Sequence, residues 1–123
     1  SYKASLKKEN IIEYYKKKYD DNYLGFQVAK AELTNLKKYC DIKKINCIVV
    51  LMPDIHKLSP YNLSFINKKV LALTKELKIS YLDLLPAFQN IEENILWNEY
   101  QDPHPNSYGH KIIAEEIYNY LNK

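Results

Sequence analysis

The chain has 123 residues, enough for one modest core, and reads as a single domain or part of one. Hydrophobic residues make up 46% and charged residues 27%, ordinary proportions for a globular domain, and no apolar run of about 18 residues is present to form a membrane span. The formal net charge of +3 does not indicate nucleic-acid binding, because Lys7, Lys8, Lys16, Lys17 and Lys18 share one amphipathic stretch that suits a solvated helix face.

In chain order, Leu6 to Tyr19 reads as a lysine-rich helix with a thin apolar stripe of Ile11, Ile12, Tyr15 and Tyr19. A second helix is expected from about Tyr23 to Tyr39, with Ala29, Leu33, Leu36 and Cys40 at helical spacing. Cys40 then ends a helix and Cys47 begins a strand. Their spacing fits no zinc or redox motif, and the plain reading is two small buried apolar residues, with a disulfide reserved for an exported protein. Cys47 to Met52 is apolar on both faces and β-branched at its centre, as a parallel strand covered on both sides requires, and Pro53 stops it. Asn62 to Leu77 predicts a helix buried through Ile66, Val70, Leu73 and Leu77. Ser80 to Leu84 predicts a second strand, closed by Pro86. Strand, helix and strand in this order form a βαβ unit. Gln89 to Asn106 reads as turn-rich. It leads to a last helix with Asn106 as N-cap and Ile113, Ile117 and Leu121 as its packed face.

This order predicts an α/β fold: three layers, with a parallel sheet between helices. Two strands are fewer than such a sheet normally carries alone, so residues 1–123 read as one domain incomplete at its N-terminal side. Only two glycines, Gly25 and Gly109, are present, too few for a glycine-rich phosphate cradle.

The chemistry concentrates in Gln101-Asp102-Pro103-His104-Pro105-Asn106-Ser107-Tyr108-Gly109-His110. Prolines on both sides of His104 restrict its backbone. A carboxylate two residues away can accept a hydrogen bond from one ring nitrogen. That fixes the tautomer and leaves the other nitrogen to take a proton from a hydroxyl. An Asp-x-His pair alone is equally a loop whose side chains cap backbone groups.

Asp-Pro-His-Pro-Asn, then Gly-His, then Ile-Ile-Ala inside a terminal helix resembles the last block of SGNH/GDSL hydrolases. The strand Ile48-Val49-Val50-Leu51-Met52 ending in Pro53, a helix, and a strand of the type Tyr81-Leu82-Asp83-Leu84 match the same family's plan, from about Tyr39 onward. The commonest family spacing puts two residues between Asp and His, where this chain has Pro103 alone. The Gly-Asp-Ser block, the oxyanion glycine and the asparagine block have no counterpart. Of Ser1, Ser5, Ser59, Ser64, Ser80 and Ser107, none follows a strand in a Gly-Asp-Ser setting.

The resemblance implies the flavodoxin-like SGNH fold. It implies a serine-type ester hydrolase in which His104 is the general base, Asp102 orients it, and the nucleophilic serine lies outside this chain. The chain alone is then expected to be inactive. No cofactor and no metal are implied. The expected substrate is a small acyl ester, a lipid or an acylated sugar. The alternative is a non-catalytic α/β interaction module that retains the block for packing. A zinc site from His56, His104 and His110 matches no known ligand spacing. Asp54 and His56, at the end of the first strand, line a pocket or cap a turn, the turn being preferred. His110 reads as a residue that packs or hydrogen-bonds on the first turn of the last helix, Asp83 as a partner for a loop, and Trp97 and Tyr100 as loop anchors. The unpaired edge of the Cys47–Met52 strand is expected to drive self-association. No signal peptide is legible, and the compartment stays open.

Overall fold

The computed structural model describes residues 8–123, with side chains described from Ile11 onward. The expectations on Leu6, Lys7, the Lys8 side chain, Ser1 and Ser5 fall outside the described residues. The elements are α1 (Lys8–Lys18), α2 (Leu24–Lys43), β1 (Ile48–Leu51), α3 (Ser64–Leu77), β2 (Ser80–Asp83), α4 (Leu85–Phe88), a 3-10 turn (Glu93–Ile95), β3 (Trp97–Glu99), β4 (Asp102–Pro105) and α5 (Ser107–Leu121). The class is α/β. The chain divides into two compact units, one running through Cys47 and including Leu63–Ser80, the other combining Ile48–Asn62 with Tyr81–Lys123.

The first unit holds α1, α2 and α3. The expected stripe of α3 is inward, with Ile66 buried and Val70, Leu73 and Leu77 half-buried. The stripe of α2 is corrected. Ala29 and Leu36 are exposed, and its less exposed apolar side chains are Phe26, Leu33 and Cys40. Leu33 and Cys40 thus lie inward as expected, and Ala29 and Leu36 do not. Leu24, Val28, Tyr39 and Ile42 of α2 also remain exposed.

Helix α2 runs past Tyr39 to Lys43, because Lys44 reverses the chain in the left-handed region at φ 57°. Its N–H donates to the Asp41 carbonyl at 3.2 Å, and the Ile45 N–H donates to the Cys40 carbonyl at 2.8 Å. This is a Schellman closure with lysine where glycine is usual. Helix α3 ends the same way: Lys78 has φ 56° and donates to Lys75, while Ile79 donates to Thr74 and buries its side chain.

The reversal at Lys44 brings Cys47 back beside Cys40, and the two form a disulfide with Cα atoms 6.4 Å apart. The reading of both as unlinked apolar residues is thus corrected. Cys40 is buried as expected, while Cys47 is half-buried.

In the second unit β1 and β2 form a two-stranded parallel sheet. Each strand is four residues long, one or two shorter than the apolar runs that predict them. The Leu84 N–H continues the pairing to the Leu51 carbonyl at 3.1 Å. Pro86 does more than stop β2, since it sits in the first turn of α4, where a missing N–H costs nothing. Asp83 accepts the Leu85 N–H at 2.9 Å, as expected of a strand-end carboxylate bonding a loop.

The core of this unit comprises Ile55, Leu58, Leu84, Leu85, Phe88 and Leu96, with Val50, Leu82, Trp97, Ile112 and Ile113 packed against it. Full burial of a Leu or Phe side chain contributes about 1.5–3 kcal/mol, so these loop and short-helix residues anchor the segments that follow both strands.

The segment Gln89 to Asn106 is more ordered than its sequence suggests. It contains the 3-10 turn and an antiparallel hairpin in which Trp97 faces Pro105 and Glu99 faces Asp102, with an irregularity between. Pro103 and Pro105 argue against a strand. A two-stranded hairpin nevertheless has an outer edge that tolerates residues without an N–H. Helix α5 packs through Ile112 and Ile113, whereas Leu121, expected on the packed face, is exposed. Among the described residues, no helix is long and apolar enough to cross a membrane.

Candidate active site

Asp102 opens β4, and His104 follows Pro103 on the same strand. One carboxylate oxygen of Asp102 accepts both the His104 backbone N–H, at 3.3 Å, and His104 Nδ1. An ionised carboxylate can only accept, so Nδ1 carries a proton, and in the neutral imidazole Nε2 keeps its lone pair. The hydrogen bond from the His104 ring holds the Asp102 carboxyl below its usual range, with the backbone N–H, the charge of His104 and the Asn98 side chain adding to the effect. The His104 side chain is 84% exposed, so Nε2 is open to an incoming group.

Asn106 builds the frame around this pair. Its Oδ1 accepts the Gly109 N–H at 3.0 Å, which caps α5 as expected. Its Nδ2 donates to the Ile95 and Trp97 carbonyls, both at 2.8 Å. Its backbone N–H donates to the Leu96 carbonyl at 2.8 Å. One side chain therefore ties the start of α5 to the 3-10 turn and to β3. The amide donors are the part that sequence reasoning missed, because a capping role follows from position alone and the Nδ2 partners lie 9 and 11 residues upstream.

Gly109 explains its own place in the block. A Cβ there would lie 3.0 Å from the Pro105 Cβ and 3.3 Å from the Leu96 carbonyl oxygen, so the first turn of α5 lies close against β4 and an added side chain would require these neighbours to give way. His110 follows it, exposed, with its N–H on the Asn106 carbonyl at 2.9 Å.

Asp54 and His56 lie in the loop after β1 and do cap a turn, the Asp54 carboxylate accepting the His56 N–H at 2.9 Å. The same oxygen also engages His56 Nδ1 at 2.6 Å, which the sequence reading did not foresee. The Trp97 indole donates to the Ile55 carbonyl at 2.6 Å, the anchoring role expected of it. Tyr100 meets the Trp97 ring edge-on at 6.0 Å between centroids and is largely exposed.

Among the described residues no group of three His, Cys, Asp or Glu side chains is placed to hold a metal, so His56, His104 and His110 do not form a zinc set. Ser107 is the first residue of α5, Ser64 opens α3 and Ser80 opens β2. A cleft of about 700 Å³ in the first unit, lined in part by Phe26, Lys30, Leu73 and Glu76, contains none of the predicted site residues. No family model matches the chain, and neither a curated protein nor a solved structure matches it.

Proposed function

We propose that this chain supplies the Asp–His half of a serine-type ester hydrolase of the SGNH/GDSL kind. The observation that carries the proposal is the double engagement of one Asp102 oxygen by the His104 backbone and ring, with Nε2 left open. In this reading His104 Nε2 takes the proton of a serine hydroxyl from outside the chain while the oxygen attacks an ester carbonyl. The alcohol leaves with that proton, and water then releases the acyl group by the same base. Asp102 fixes the tautomer and faces the imidazolium. The substrate is a small acyl ester, a lipid or an acylated sugar. The parallel pair β1–β2 fits within the larger three-layer sheet of that family. The outer edge of β1 then takes a further strand. Without one it drives self-association, which size-exclusion chromatography with light scattering measures.

The test is turnover in the full-length protein. His104→Ala lowers kcat by about 10⁴-fold or more, as loss of a triad base does, while His110→Ala retains activity. The reverse pattern in folded variants refutes the assignment. The chain by itself shows no serine-reagent-sensitive turnover of p-nitrophenyl esters.

A second reading has its own support. Asn106 and Gly109 are explained by packing and capping alone, which is what a non-catalytic α/β interaction module would retain. In that case His104→Ala leaves every activity of the full-length protein intact.

A further inference from the structure

Asp54 and His56 repeat the arrangement of Asp102 and His104 at a second place in the same unit. The bond to the His56 N–H is the Asx turn that such a loop makes by itself. The bond to the ring is additional; it directs an Nδ1 proton to Asp54, and in the neutral imidazole the Nε2 lone pair is then free. The His56 side chain is 62% exposed, so that lone pair is accessible.

The turn is also firmly anchored. The Asp54 N–H donates to the Tyr61 hydroxyl at 3.2 Å, and Ile55, between Asp54 and His56, is buried in the core. The Trp97 indole holds the Ile55 carbonyl, and the Trp97 backbone stands opposite Pro105, the neighbour of His104. One tryptophan thus fixes both Asp-x-His segments to one core. A capped loop needs none of this ring orientation, whereas a general base needs all of it.

We propose that Asp54–His56 is a second acid–base site, in which His56 Nε2 takes a proton from a ligand hydroxyl group or from water, Asp54 fixes the tautomer, and Trp97 is the positioning residue. A neutral Nε2 accepts and does not donate, so the ligand must offer it a donor, and the group proposed is a hydroxyl. In the step the O–H bond breaks with its electron pair left on oxygen, an N–H bond forms at Nε2, and the Nδ1 proton stays in its bond to Asp54. The site does not depend on the ester-hydrolase reading.

The test uses the whole chain at about pH 8, above the ordinary imidazole range. Imidazole nitrogen NMR is expected to show His56 as the Nδ1–H tautomer, and diethyl pyrocarbonate modifies its Nε2 faster than that of His110. Asp54→Asn slows that modification by about two- to tenfold, the worth of one orienting hydrogen bond, and shifts His56 toward the Nε2–H tautomer. His104 keeps its tautomer and rate in this variant, which also shows that the fold survives. Asp54→Glu restores part of the effect, and Trp97→Phe weakens it. Glycerol, as the hydroxyl probe, shifts the His56 Nε2 resonance in the parent chain and not in Asp54→Asn. An Nε2–H tautomer at His56 in the parent, an unchanged rate in Asp54→Asn, or no response to glycerol overturns the proposal. Loss of activity on changing His104 bears on the other site alone.

Discussion

Asn106→Ala removes three side-chain hydrogen bonds at once, from Gly109 N–H and to the carbonyls of Ile95 and Trp97. Loss of an N-cap costs about 0.5–2 kcal/mol. Each of the two amide bonds adds about 0.5–1.5 kcal/mol. Asn106 is half-buried, so water replaces part of what is lost. The expected total is therefore about 2–3 kcal/mol, a large fraction of the 5–15 kcal/mol typical of a domain. Asn106→Ser separates the two roles. Serine caps as well as asparagine but cannot reach back to the two carbonyls, so it recovers about 1 kcal/mol and no more. Urea unfolding at constant m-value reads both variants as midpoint shifts. A cost under about 0.5 kcal/mol for the alanine variant, or full stability in the serine variant, refutes this double role of Asn106.

Gly109→Ala forces a Cβ to within 3.0 Å of Pro105 and 3.3 Å of the Leu96 carbonyl, and a denaturant midpoint should report a loss of about 1–3 kcal/mol despite the better helix propensity of alanine. Lys78→Gly relieves the left-handed residue at φ 56° and should stabilise by up to about 1 kcal/mol in the same assay. The bond from the His104 ring holds the Asp102 carboxyl below the ordinary carboxylate range, so its contribution to folding is complete above that range and is lost as pH falls through the lowered value. NMR of the His104 ring should show the Nδ1 bond released in that acid range, and in Asp102→Asn the acid-linked release should be absent.

Much of the fold is legible because local rules and tertiary packing agree. The six-residue run Cys47 to Met52 reads as a strand and β1 lies inside it, although its residues are half-buried and not covered on both faces as expected. The α3 stripe is inward because its spacing admits one face only. Asn106 is identified as a cap by its place before a periodic run, and the structure has it so. Asp102 and His104 are legible as a pair because two residues in extended chain, stiffened by prolines, have few ways to avoid each other.

What required the tertiary structure is everything set by partners distant in sequence. The Cys40–Cys47 bond depends on a reversal at Lys44, where a lysine takes a conformation that sequence rules assign to glycine. The β3–β4 hairpin forms despite two prolines because Trp97 and Leu96 anchor it in the core. Residue spacing alone placed Asp54 and His56 in a turn. That the turn also orients an imidazole, and that Trp97 fixes it from 42 positions away, comes from packing. Local sequence determines which segments become helix, strand or turn, since those choices depend on backbone and neighbouring side chains. Which loop carries a rigid, solvent-open base depends on which loops share a core, and that is decided only when the chain has closed on itself.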